Sequence, residues 1–91
     1  MTVANATPTN ATLSVTATGR SGPTITSNPT GIYSSVGLPS SGTFVAGRQI
    51  TLSVDSGRSA IWSGACSSGG QKRTSCTFTL TGNASVTGNI Q

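Results

Sequence analysis

The residues able to do chemistry in this chain are few. Cys66 and Cys76 are its two cysteines, Lys72 and Arg73 the one adjacent pair among five basic residues, and Asp55 its single acid; histidine is absent. General acid–base catalysis draws mainly on histidine or on paired carboxyl groups, so neither a Ser-His-Asp triad nor a glycosidase-type carboxylate pair can be assembled. A Ser68 or Ser75 hydroxyl activated by Lys72 is the one conceivable nucleophile, and Ser and Lys in a polar turn read more simply as solvated loop. Ser67-Ser68-Gly69-Gly70 is not followed by Lys-Ser or Lys-Thr at the spacing of a phosphate-binding loop. The expectation is a protein that is not an enzyme, with no catalytic residue, cofactor or metal.

Two cysteines with nine residues between them cannot form a structural zinc site, which takes about four Cys or His ligands. A Cys66–Cys76 disulfide is the expected use, pointing to an oxidising compartment or the outside of the cell; two buried reduced thiols in a cytoplasmic protein are the alternative. Closing a loop of about ten residues contributes roughly 2–3 kcal/mol by the chain-entropy estimate. The net charge of +4 raises the question of nucleic acid, since clustered Lys and Arg gain from counterion release. Only Lys72 and Arg73 are clustered, so nucleic acid is not expected as a partner. Tyr33 and Trp62 have the rings that stack on sugars, and with Lys72 and Arg73 they define a candidate surface for a glycan or polyanion. Trp62 follows the apolar Ile61 and is expected in the core instead, together with Phe78. Three Asn-x-Ser/Thr sequons, at Asn5, Asn10 and Asn83, are accounted for by chance in so Thr-rich a chain.

The elements that must carry these residues are strands. Charged residues make up only 7% of the 91-residue chain, and the polarity comes from Ser, Thr, Asn and Gly, which favour strands and turns over helices. Disordered chains combine low hydrophobicity with high charge, and this one lacks the charge. One small domain fits the length. Period-two alternation places strands at residues 12–18, with Leu13, Val15 and Ala17 on one face, at 49–54, with Ile50, Leu52 and Val54, and at 84–90, with Ala84, Val86, Gly88 and Ile90. Short strands are expected at 24–26 and 43–45, and residues 30–42 read as a loop with a short extended piece. Turns fall at 19–23, 27–29, 46–48, 55–58 and 81–83, where Gly, Pro, Asn and Asp gather.

The chain is organised around residues 60–78, read as a hairpin pinned by its disulfide, with Trp62 sinking one strand into the core and Cys76, Phe78 and Leu80 on one side of the returning strand. Residues 1–11 read as an extended arm or linker and 12–91 as a single domain. The fold class expected is all-β: a small antiparallel β-sandwich or a β-grasp-like sheet of six to seven short strands, with little or no helix. With so few charges to block edge pairing, such a surface favours docking onto an assembly or onto another copy. No segment has the roughly 20 apolar residues of a bilayer span, so membrane insertion is not expected.

Five short motifs follow one another in an order that resembles the divergent B-repeat-type modules of bacterial surface and secreted proteins and of phage structural proteins. They are Ser27-Asn28-Pro29-Thr30-Gly31-Ile32, Phe44-Val45-Ala46-Gly47 running to Thr51-Leu52, Trp62-Ser63-Gly64-Ala65-Cys66, Cys76-Thr77-Phe78-Thr79, and Ser85-Val86-Thr87. The resemblance implies a β-rich extracellular building block of the kind used as spacer, stalk or attachment domain. The N-terminal residues carry neither basic residues nor an apolar run and do not read as a secretory signal. Together these features lead to the expectation of a structural protein on a bacteriophage virion, such as a capsid decoration or cement protein, at the virion surface. Its partners would be capsid or other assembly subunits, or itself in a homo-oligomer. The alternative is a spacer or binding module cut from a bacterial adhesin or secreted enzyme, at the cell surface or outside the cell.

Overall fold

In the computed structural model, residues 10–55 and 57–91 are described. They form nine strands and no helix: β1 Asn10–Gly19, β2 Ile25–Asn28, β3 Tyr33–Ser34, β4 Ser40–Val45, β5 Arg48–Val54, β6 Ala60–Gly64, β7 Lys72–Arg73, β8 Ser75–Leu80 and β9 Ala84–Ile90. Alternation does the positioning. In β1 every apolar residue from Ala11 to Ala17 is buried and the Ser and Thr between them are exposed or half-buried. In β5, Ile50, Leu52 and Val54 turn inward in the same way. Side chains alternate faces along a strand, so a chain patterned like this must cover one face with a second layer.

That layer is a second sheet. One sheet has the order β4-β1-β9-β6-β7 and the other β3-β2-β5-β8. A single core lies between them, with Leu13, Val15, Trp62, Val86 and Ile90 from the first sheet against Ile25, Ile50, Leu52 and Leu80 from the second. The fold is a β-sandwich rather than a lone β-grasp-like sheet.

Several particulars differ from the sequence reading. The strands number nine because the stretch 30–42 contains β3 and the start of β4, and because the two-residue β7 precedes β8. Not every pairing is antiparallel: β1 and β9 run parallel in register from Leu13↔Ala84 to Gly19↔Ile90. Asn10 and Ala11 belong to β1, and Ala11 is buried against the core, so the domain reaches into the stretch read as arm. Residues 1–9 of that stretch lie outside the described residues.

The pinned hairpin is also corrected. β6 pairs with β7 for two residues, Ala60↔Arg73 and Ile61↔Lys72, after which the chain crosses at Thr74 to the other sheet. There β8 lies along β5, with Ile50 opposite Phe78 and Leu52 opposite Cys76. The Thr74 carbonyl accepts the Val54 N–H at 3.0 Å and marks the crossing. The disulfide forms as expected, with Cα atoms 6.2 Å apart. Because Cys66 follows β6 and Cys76 lies in β8, it ties one sheet to the other rather than closing a hairpin within one.

Candidate interaction surface

Around Trp62 the sequence builds a folded corner. The indole is 1% exposed, and its Nε1–H donates to the Arg73 carbonyl at 3.0 Å, so the polar end of a buried ring is satisfied as such rings require. Ser68 holds the following loop. Its Oγ accepts the Trp62 N–H at 2.9 Å and donates to the Gln71 carbonyl at 2.6 Å, while the Ser68 N–H donates to the Trp62 carbonyl at 3.0 Å. The Ser68 hydroxyl therefore serves the loop's own backbone. Phe78, expected as a core anchor beside Trp62, is only half-buried, packing against the core from β8.

Lys72 and Arg73 stand exposed on β7 at the outer edge of the first sheet, with the Arg73 guanidinium donating to Gln71 Oε1 at 2.9 Å. Tyr33 lies on β3, the outer strand of the second sheet. These two edges do not meet. The β3 segment runs beside β1 on the β4 flank, through the bridge Ala17↔Val36, whereas β7 leads directly into β8 on the opposite flank. The surface expected from Tyr33, Trp62, Lys72 and Arg73 is thus divided: Trp62 is inside, and Tyr33 is separated from the two cations by the width of the sandwich.

Comparison with family models, curated proteins and solved structures finds no match. The likeness to B-repeat-type modules stays with the motifs that carry it, and the surface is read from its own residues.

The β4 flank brings together residues that the sequence reading had named only separately, as motifs and as a candidate surface residue. An open groove of about 510 Å³ is lined by Thr26, Ser27, Thr30, Gly31, Ile32 and Tyr33. The turn at its base is fixed by Ser27, whose Oγ donates to the Pro29 carbonyl at 2.7 Å and accepts the Ile32 N–H at 3.0 Å; the Asn28–Pro29 peptide is cis. Gly31 is required by close approach. A Cβ there would lie 2.7 Å from the Phe44 ring, so the absence of a side chain lets the turn seat on β4. Three large apolar residues of this part of the chain are exposed: Tyr33, which lines the groove, Leu38 just before β4 and Val45 at its end, by 73, 67 and 50%. β4 itself pairs with β1 on one side and has no ladder partner on the other among the described residues. Leu38 sits among Gly, Ser and Pro in a stretch without regular spacing and Val45 in a short expected strand, and only their exposure in the fold sets them apart.

This flank carries no charge. None of β3, β4 or the groove-lining residues is ionisable apart from the Tyr33 phenol. Arg48, the nearest cation along the chain, lies past the Ala46-Gly47 turn on β5 in the other sheet.

Proposed function

We propose that this domain is a non-catalytic structural and interaction element exposed on an extracellular particle, most concretely a bacteriophage capsid decoration or cement protein. The observation that carries the reading is the β4 flank. An uncharged edge strand of six residues, with no ladder partner on its outer side among the described residues, is a template for strand addition, a recurrent mode of protein recognition. Natural proteins commonly guard such edges with Lys, Pro or a bulge. Here the charged pair Lys72 and Arg73 stands on the other flank, while β4 itself ends in the exposed Val45 and follows the exposed Leu38. The disulfide suits a life outside the reducing cytoplasm.

The test is the assembly state of the protein from its native source. Recovery in large particles supports the reading, provided that Thr43→Lys, an exposed change on β4, prevents incorporation while leaving the melting temperature within about 4 °C, as expected for a surface change. Recovery only as a free monomer with no particle-bound fraction refutes it.

A second reading, a spacer or binding module of a bacterial surface adhesin or secreted enzyme, is favoured by one feature. Because β1 and β9 are parallel neighbours, the chain enters the sandwich at Asn10 on one pole and leaves at Gln91 on the other. Units joined through those poles would lie in line. Recovery of the domain only within a longer secreted polypeptide would favour this reading over the first.

A further inference from the structure

We propose that the β1–β9 ladder is a mechanical clamp, and that the domain serves to bear tension applied along the chain between its two poles. Strand order, strand direction and the bonds and packing that hold the two strands carry it. It goes beyond the functional readings above and stands apart from whether the domain sits on a particle or in a stalk.

Tension entering at Asn10 and leaving at Gln91 acts on two strands that are hydrogen-bonded to each other. They are parallel over seven residue pairs, from Leu13↔Ala84 to Gly19↔Ile90. The ladder is extended at both ends: the Thr12 N–H donates to Asn83 Oδ1 at 2.8 Å, and the Arg20 N–H donates to the Ile90 carbonyl at 2.8 Å. Pulling the poles apart slides β1 against β9 along their common axis. Inter-strand bonds of a parallel pair are evenly spaced, though slanted, along that axis, so under a sliding pull they share the load and must fail together. Had the first and last strands been antiparallel neighbours, the same pull would peel them apart one bond at a time.

Two further features oppose sliding. β1 and β9 are the second and third strands of a five-stranded sheet, flanked by β4 and β6, so neither is a free edge that can slip away alone. Both strands are keyed into the core, β1 through Leu13, Val15 and Ala17 and β9 through Val86, Gly88 and Ile90. A slip by one residue would turn each of these rows to the opposite face. The disulfide lies outside the clamp, linking residues that follow β6 and sit in β8. It therefore limits how far the chain extends after rupture and does not set the force of rupture.

Single-molecule pulling on the intact domain tests this in two geometries. In one, handles are joined before Asn10 and after Gln91. In the other they are joined at Ser21→Cys and after Gln91, which loads the same ladder from the single pole where Gly19 pairs with Ile90. Forced unfolding reads the unfolding barrier, and the expected result is a rupture force several-fold higher through the two poles than through the single pole. Reduction of the disulfide should leave the two-pole force unchanged. It should also lengthen the extension gained by about 30 Å, from a sequence separation of 10 residues at ~3.5 Å each less the 6.2 Å that the bridge already spans. Equal forces in the two geometries, or a two-pole force that falls on reduction, would overturn the proposal.

Discussion

Gly88→Ala should destabilise the domain although it adds a single methyl group to a strand. Gly88 lies in β9 opposite Trp62 of β6 and faces the core. A Cβ built there falls 2.6 Å from Ile25 Cδ1 and 3.2 and 3.4 Å from two atoms of the Trp62 ring. Carbon atoms in favourable contact lie about 3.5–4.0 Å apart, so the overlap at Ile25 is about 1 Å. A free side chain would move aside, but Ile25 and Trp62 are 0% and 1% exposed and are enclosed on all sides by a core packed to crystal-like density. Overpacking of this kind costs about 1–3 kcal/mol. Relief of the glycine's own penalty in a strand returns about 0.5–1 kcal/mol. The net expectation is a loss of about 1–2 kcal/mol, and for a domain of this size each kcal/mol lowers the melting temperature by roughly 4–8 °C.

The assay is equilibrium urea unfolding followed by the fluorescence of Trp62, the one tryptophan, with the slope checked for constancy. Ile25→Val supplies the control because it deletes the clashing atom. Alone it should cost about 0.5–1.5 kcal/mol. Combined with Gly88→Ala it should give a double variant more stable than the sum of the two losses by on the order of 1 kcal/mol, as expected for residues in contact. Strict additivity, or a Gly88→Ala variant as stable as the parent, would refute the reasoning that the two sheets meet at this point with no room for a methyl.

Reduction of the Cys66–Cys76 bond should lower stability by about 2–3 kcal/mol for its loop without abolishing the fold, because most of the core is formed by residues of both sheets other than the two cysteines; thermal melts with and without reductant measure it, and a natively folded protein labelling as two free thiols would contradict it. Asp55→Ala should cost about 1–2 kcal/mol by orphaning the N–H of the buried Thr24, which donates to Asp55 Oδ1 at 2.9 Å. Asp55→Asn keeps an oxygen acceptor at that position and should recover most of the loss, and equal melting temperatures for the Ala and Asn variants would refute the assignment.

The local parts of this fold were legible in the residues themselves. Leu13, Val15 and Ala17, then Ile50, Leu52 and Val54, then Val86, Gly88 and Ile90 each alternate with polar residues, and each row faces the core. Alternation is a property of a single strand, so it survives whatever the neighbours are. The disulfide was legible because only one pairing of two cysteines exists. The stretch 30–42 was less so, since β3 is two residues long and its place depends on Ser34, fully buried, whose hydroxyl lies within hydrogen-bonding reach of the Val15 and Leu38 carbonyls at 3.2 and 3.0 Å. Of the candidate surface, Tyr33 was identified by its chemistry, whereas nothing in the sequence marked Leu38 or Val45 as exposed.

By itself the sequence determined an all-β domain, which face of each long strand is buried, the cysteine pairing, and a tryptophan at the centre. The tertiary structure alone decided who neighbours whom. It sent β8 across to β5 after two residues of β7, laid β9 parallel to β1, and placed Tyr33 and the Lys72-Arg73 pair on opposite flanks. The reason is that period-two patterning records inside and outside but carries no partner label. Backbone donors and acceptors are nearly alike in every strand, so many pairings satisfy the same local pattern. The choice among them falls to the packing of distant side chains against one another in a single shared core.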